Sequence, residues 1–235
     1  MEHPFVTMNG INPYRHCSHR CVYCCSFAQG CATPWYSRRD VMKELTRALE
    51  TLPADQKISL SPCSDPYTPE EEQHGITRLI LEELHRRNRP YFVCTKGTLV
   101  TRDIDLLSDY SVDHDVWMVL GALDEKALSF TEPGAPSPQA RIAAMYQLVE
   151  AEISLTVNAA PLLPWITPAE DLYQALPHCE RIHMCPLQVQ HMGGKIKLFD
   201  RIWTQAELSA NFFAARAEFT PRDNVTWHDP MPDIP

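Results

Sequence analysis

No apolar run in this sequence is long enough to span a bilayer, and the opening Met-Glu-His-Pro lacks the basic head and apolar stretch of a secretory signal. Those absences make the cytoplasm the expected location and leave no membrane partner. A surplus of positive charge is also missing: the 235 residues carry 21 Lys and Arg against 30 Asp and Glu, a formal net charge of −9. A duplex-binding protein presents a basic stripe. The one local excess here, Arg15, Arg20, Arg38, Arg39, Lys43 and Arg47, falls within residues 1–50, which hold six basic residues against four acids. Charge therefore does not point to nucleic acid. Disulfide staples are not expected either, because the nine cysteines are an odd number in a chain far larger than a stapled miniprotein. Disorder-like composition is absent too: 44% of residues are hydrophobic and 22% charged, enough for one sizeable core. The expected organisation is one core domain over residues 1–220, followed by a Pro-rich, loosely ordered tail over 221–235.

What is present is an alternation of short β-rich runs with helical patterns, the mark of β-α units around a parallel sheet. Strands are expected at Phe5 to Asn9, Lys57 to Ser61, Tyr91 to Thr95, Val116 to Leu120, Ile153 to Ala159 and Arg181 to Met184. Helices fit Arg39 to Leu52, Pro69 to Asn88, Asp103 to Leu107, Gln139 to Glu152, Pro168 to Leu176 and Gln205 to Phe219. Residues 131–138 read as a Pro-rich turn. The expected fold class is α/β, an open partial (β/α)6 TIM-like barrel with parallel strands. In such barrels the loops at the carboxyl ends of the strands converge on one mouth.

The chemistry-bearing feature is the run Cys17-Ser18-His19-Arg20-Cys21-Val22-Tyr23-Cys24, a C-x3-C-x2-C spacing just after the first strand. Three thiolates on one short loop suit three irons of a cubane iron-sulfur cluster and leave the fourth iron open for a non-protein ligand. The competing reading is a zinc site completed by His16, His19, Cys25 or Cys31. Zinc favours paired C-x2-C knuckles, and the later cysteines supply no second pair at that spacing. Further along, Cys179 and Cys185 flank the last expected strand with His178 and His183 nearby. They are either an auxiliary cluster site or plain buried strand cysteines.

The triplet, with Tyr23 directly before its last cysteine and Ile11-Asn12-Pro13-Tyr14-Arg15 before it, resembles the signature of radical S-adenosylmethionine (SAM) enzymes. Leu60-Ser61-Pro62-Cys63-Ser64-Asp65-Pro66-Tyr67, Cys94-Thr95-Lys96, Glu132-Pro133-Gly134 with Arg141, and Ala160-Pro161-Leu162-Leu163-Pro164 follow in the order seen in the spore photoproduct lyase-like branch. The resemblance implies a 4Fe-4S cluster on Cys17, Cys21 and Cys24 whose open iron binds SAM. It further implies reductive cleavage to a 5'-deoxyadenosyl radical, hydrogen abstraction from an organic substrate, and an external one-electron reductant such as flavodoxin or ferredoxin. Tyr23, Asp65, Lys96 and Ala160 take cofactor-binding positions by the same resemblance. Each also has a plainer reading: a core aromatic for Tyr23, a solvated lysine for Lys96, a strand terminus for Ala160. Glu132 and Arg141 read as a structural ion pair. Cys63 matches the lyase cysteine that returns hydrogen to the product radical, which would make it catalytic together with Tyr23, or else it is a small buried hydrophobe. Two departures set the chain apart from the lyases: Cys25 stands where they carry a second tyrosine, and Gly121 where they carry a serine. A small-molecule or peptide substrate is expected over DNA, with photoproduct repair and a non-catalytic iron-sulfur or zinc-binding regulator as the alternatives.

Overall fold

The computed structural model describes residues 6–7, 10–14, 17–24 and 38–230. Its strands are β1 (Val6–Thr7), β2 (Gly10–Ile11), β3 (Ile58–Leu60), β4 (Tyr91–Thr95), β5 (His114–Val119), β6 (Leu155–Leu162), β7 (Arg181–Pro186), β8 (Lys195–Leu198), β9 (Arg201–Thr204) and β10 (Val225–Trp227). The helices are α1 (Arg38–Thr51), α2 (Glu71–His74), α3 (Ile76–Arg86), α4 (Ile104–Leu107), α5 (Glu125–Thr131), α6 (Pro138–Glu150), α7 (Ala169–Ala175) and α8 (Gln205–Glu218), with a 3-10 turn over Thr98–Asp103. The main sheet runs β1-β2-β3-β4-β5-β6-β7-β10, parallel throughout except for the antiparallel β1/β2 pair. This is the open, partial TIM-like barrel that the alternation implies. Among the described residues, no helix is long and apolar enough to cross a membrane.

Strand periodicity explains how the sheet divides inside from outside. On β4, Tyr91 and Val93 are fully buried beneath the helices, while the alternate residues Phe92 and Cys94 are half-buried on the concave face. The same alternation sets buried Val116 and Met118 against half-buried Asp115 and Trp117 on β5, and buried Ile182 and Met184 against His183 and Cys185 on β7. The helices cover the convex face: α1 contributes Val41 and Leu45, and α3 contributes Ile80, Leu81 and Leu84, all fully buried. At about 2 kcal/mol for each such side chain taken from water, this layer is the main driving force holding helices to sheet.

Several expectations shift. Of the strand expected over residues 5–9, the described Val6–Thr7 form β1, which pairs antiparallel with β2, and β2 is the strand that joins the parallel sheet ahead of the cysteine loop. The helix expected over 69–88 is broken at Gly75, whose φ is 61°. Helix α5 lies just before the expected Pro-rich turn, meeting it at Thr131, in a stretch where no element was expected; it is started by Asp124, whose side chain accepts from the Ala127 amide. The segment after residue 220 is not loose throughout: β10 pairs parallel with β7, and the Ile182 amide donates to the Asn224 carbonyl at 2.8 Å. The hairpin β8–β9 has no counterpart in the sequence reading. It leads into α8 through a capping box in which the Thr204 hydroxyl receives the Glu207 amide and the Glu207 carboxylate receives the Thr204 amide.

Gly121, just beyond β5, is fixed by close approach. A Cβ there would lie 1.8 Å from the Pro161 carbonyl oxygen, and the Gly121 oxygen accepts from the Leu163 amide at 3.1 Å. The serine of the lyase pattern has no room at this position. Gly121→Ala is expected to cost about 1–3 kcal/mol, because backbone rather than a flexible side chain must move. Urea unfolding measures this, and an unchanged midpoint would contradict the packing.

Candidate active site

The cysteine loop is two consecutive turns, with the Arg20 amide donating to the Cys17 carbonyl at 3.4 Å and the Cys24 amide to the Cys21 carbonyl at 3.0 Å. The loop does not stand alone. The Val22 amide donates to the Thr131 carbonyl at 2.8 Å, and the Gly134 amide to the His19 carbonyl at 2.9 Å. Contact between the two loops is so close that a Cβ on Gly134 would lie 1.8 Å from the Ser18 carbonyl oxygen. Side chains add to the seam. The Tyr23 hydroxyl makes a short hydrogen bond to Glu132, while on another side the Ser18 hydroxyl donates at 2.9 Å to Glu70 in the loop before α2.

Cys17, Cys21, Cys24 and Tyr23 share a cavity of about 460 Å³ with Cys63, Asp65 and Lys96. The loops after β2, β3 and β4 supply these groups, as strand-end loops of a parallel barrel do. Asp65 ties them together. Its carboxylate accepts from the Tyr67 amide at 2.8 Å, the Thr95 hydroxyl at 2.6 Å and the Lys96 amide at 2.8 Å, and faces His19 Nδ1 at 3.4 Å. Burial pushes the Asp65 carboxyl pKa up, but His19, Thr95 and the Lys96 amide outweigh it and hold it down at about 2. Lys96 Nζ stands 5.8 Å from the Tyr23 ring centre. Burial opposes its charge, yet Cys21 and Glu132 keep its pKa above the ordinary lysine value.

Burial, followed by the charge of Asp65, pushes the Cys17 thiol up to about 12, and burial pushes Cys21 up to about 11. Ligation must displace protons from both. Among the described residues, no three His, Cys, Asp or Glu side chains stand close enough to hold one metal ion. The other zinc candidates, His16, Cys25 and Cys31, lie outside the described residues.

The remaining candidates are dispersed. Ala160 is half-buried at the mouth end of β6, outside the cavity lining. Glu132 and Arg141 form a buried ion pair at 2.5 Å. Cys179 and Cys185 sit at opposite ends of β7, about 20 Å apart for an extended chain, so they do not share an auxiliary site. Cys179 donates to the Arg181 carbonyl and Cys185 to Asn158 Oδ1 at 3.4 Å. Gln188 and His191, from the loop after β7, also line the cavity and were not singled out from sequence. Their position just past a strand end was the available signal.

A sequence model of the Radical SAM superfamily matches residues 11–176, which span the cysteine loop, Asp65, Lys96 and the Glu132–Arg141 pair. The chain belongs to the radical SAM superfamily. Enzymes of this superfamily use a 4Fe-4S cluster and SAM. Among curated proteins, an uncharacterized protein of Methanocaldococcus jannaschii is 30% identical over 66% of this chain and 60% of its own length. An uncharacterized protein of Mycobacterium tuberculosis is 30% identical over 67% of this chain and 50% of its own. The chain thus spans about half the length of the curated relatives it matches. Among solved structures, a spore photoproduct lyase complexed with dinucleoside spore photoproduct superposes with a TM-score of 0.58 at 13% identity, covering 88% of this chain and 72% of the lyase. A radical SAM methyltransferase from Sphaerobacter thermophilus gives 0.58 at 17% identity, covering 94% and 65%. Both share the fold.

The donor set of this radical SAM chain fits the cluster: three thiols in reduced form share one cavity, with a charged Lys96 beside them. Asp65 gives a pH-dependent test. Its pKa is lower in the folded chain than the ordinary 3.8, so its ionisation stabilises the fold above that value and stops doing so as pH falls towards about 2. The contribution is about 2 kcal/mol. Asp65→Asn is therefore expected to lower stability by about that much at pH 7, with the gap from wild type closing between pH 4 and 2 in urea titrations. A gap that does not vary with pH would refute the ionic account.

Proposed function

We propose that this chain cleaves SAM reductively and uses the product radical to abstract hydrogen from an organic substrate, a small molecule or a peptide. One observation carries the reading: the three loop cysteines, Tyr23, Asp65 and Lys96 meet in one cavity at the barrel mouth. When bound there, the cluster and SAM supply a 5'-deoxyadenosyl radical, with the electron coming from an external carrier such as flavodoxin or ferredoxin.

The protein's own groups position and shield. Cys17, Cys21 and Cys24 would hold three irons. Lys96, fixed through its amide by Asp65, offers the one lysine ammonium in the cavity and suits the carboxylate of SAM. Asp65 serves that site by joining three loops, and Tyr23 by walling it with its ring. Ala160 would present backbone from β6 to the adenine. Cys63 is half-buried on the same cavity, with its amide held by Asn12 Oδ1 at 3.1 Å, and is the candidate hydrogen donor that ends the reaction. Residues 1–220 would form the catalytic core, to which β10 adds a strand from the tail.

Anaerobic reconstitution with SAM and dithionite is expected to yield 5'-deoxyadenosine from wild type and, after Cys21→Ala, less than about one hundredth as much, as for loss of an essential group. No nucleoside from wild type would sink the enzyme reading in favour of an iron-sulfur or zinc-binding regulator. Cys63→Ala should keep SAM cleavage while stalling or diverting substrate turnover, so unchanged product removes the donor role. Ultraviolet-damaged DNA should not stimulate cleavage, and stimulation would favour photoproduct repair.

A further inference from the structure

Arg141 and Glu132 are fully buried, at 0% and 1% side-chain exposure. A buried ion pair is seldom the most stable occupant of a core, because desolvation offsets most of its attraction. Arg141 is otherwise well satisfied: Nε donates to the Pro136 carbonyl at 2.8 Å and Nη1 reaches the Val119 carbonyl at 3.3 Å. Glu132 has a different set of neighbours. One oxygen receives the Tyr23 hydroxyl, the other faces Arg141, and the charges of Lys96 and Arg141 keep the carboxyl ionised in spite of its burial. Around it, the Thr131 carbonyl takes the Val22 amide and the Gly134 amide reaches the His19 carbonyl. The α5–α6 turn thus grips the cysteine loop at three points, and Glu132 is the only ionic one among them.

Resting on the reading above that this loop carries the cluster, we propose that Glu132 is a positioning residue that fixes the cysteine loop by anchoring the Tyr23 hydroxyl, with Arg141 bracing Glu132 against β5. The pair is retained for what it holds. A pair kept for core stability alone would be replaceable by apolar residues without effect on the loop. A pair kept for positioning would not be.

Tyr23→Phe, Glu132→Gln and the double variant form the test, with two readouts. In the cluster-free protein, hydrogen exchange at the Val22 and Cys24 amides should rise about tenfold in each single variant, the loss of roughly one charge-assisted hydrogen bond. The double variant should be no faster than the quicker single, because both act through one bond. In the reconstituted protein, iron loss to a chelator should follow the same order. SAM should perturb the electron paramagnetic resonance spectrum of the reduced cluster less in the variants than in wild type. Glu132→Leu/Arg141→Met adds a control: it should recover the melting temperature without recovering loop protection. Additive effects, unchanged loop exchange, or full protection in the apolar double variant would overturn the proposal. Failure of wild type to take up iron would instead count against the cluster reading, leaving the exchange readout to decide on the anchor.

Discussion

The Asp65 carboxylate is the point through which the strand-end loops are held to one another. It lies in the β3–α2 loop, receives a hydroxyl from the last residue of β4 and an amide from the residue after it, and faces an imidazole in the cysteine loop after β2. Three loops far apart in sequence share one buried anion, whose cost of burial is met by these neighbours. Without them an ionised group in that place would be untenable, and the ion in turn holds the Lys96 backbone beside the cysteine loop.

The second tie runs from the opposite side. The α5–α6 turn reaches the cysteine loop by backbone bonds at Val22 and Gly134 and by Tyr23 to Glu132, so the loop is clamped between the early strands and a helix pair more than a hundred residues later. Cys21 is consequently buried and Cys17 half-buried rather than displayed, and desolvation raises both thiol pKa values and makes ligation a competition with protons. The arrangement places thiols, ammonium and ring in a partly enclosed cavity, where charges interact more strongly than in water.

Legibility from sequence followed the local or distant origin of each feature. Strand β4 matches its expected bounds because a five-residue apolar run between turn residues has few other folds open to it. Helix α5 was hidden by the prolines that follow it, and β10 by its short length and polar neighbours, since a strand of three residues is stable only against a partner already in place. Gln188 and His191 carried no signal beyond their place just past a strand end, and only the curl of the sheet brings them to the cavity of the cysteine loop.

By itself, the sequence determined the α/β class, the cysteine spacing and the order of strand-end residues, since each is written in periodicity or spacing over a few positions. The tertiary structure alone decided that Asp65 joins three loops, that Glu132 meets Tyr23, that Gly121 leaves no room for a side chain and that Cys179 and Cys185 stand apart. Those facts depend on distances between residues remote in the chain, which are fixed only when the sheet curls and its loops are brought to a common mouth.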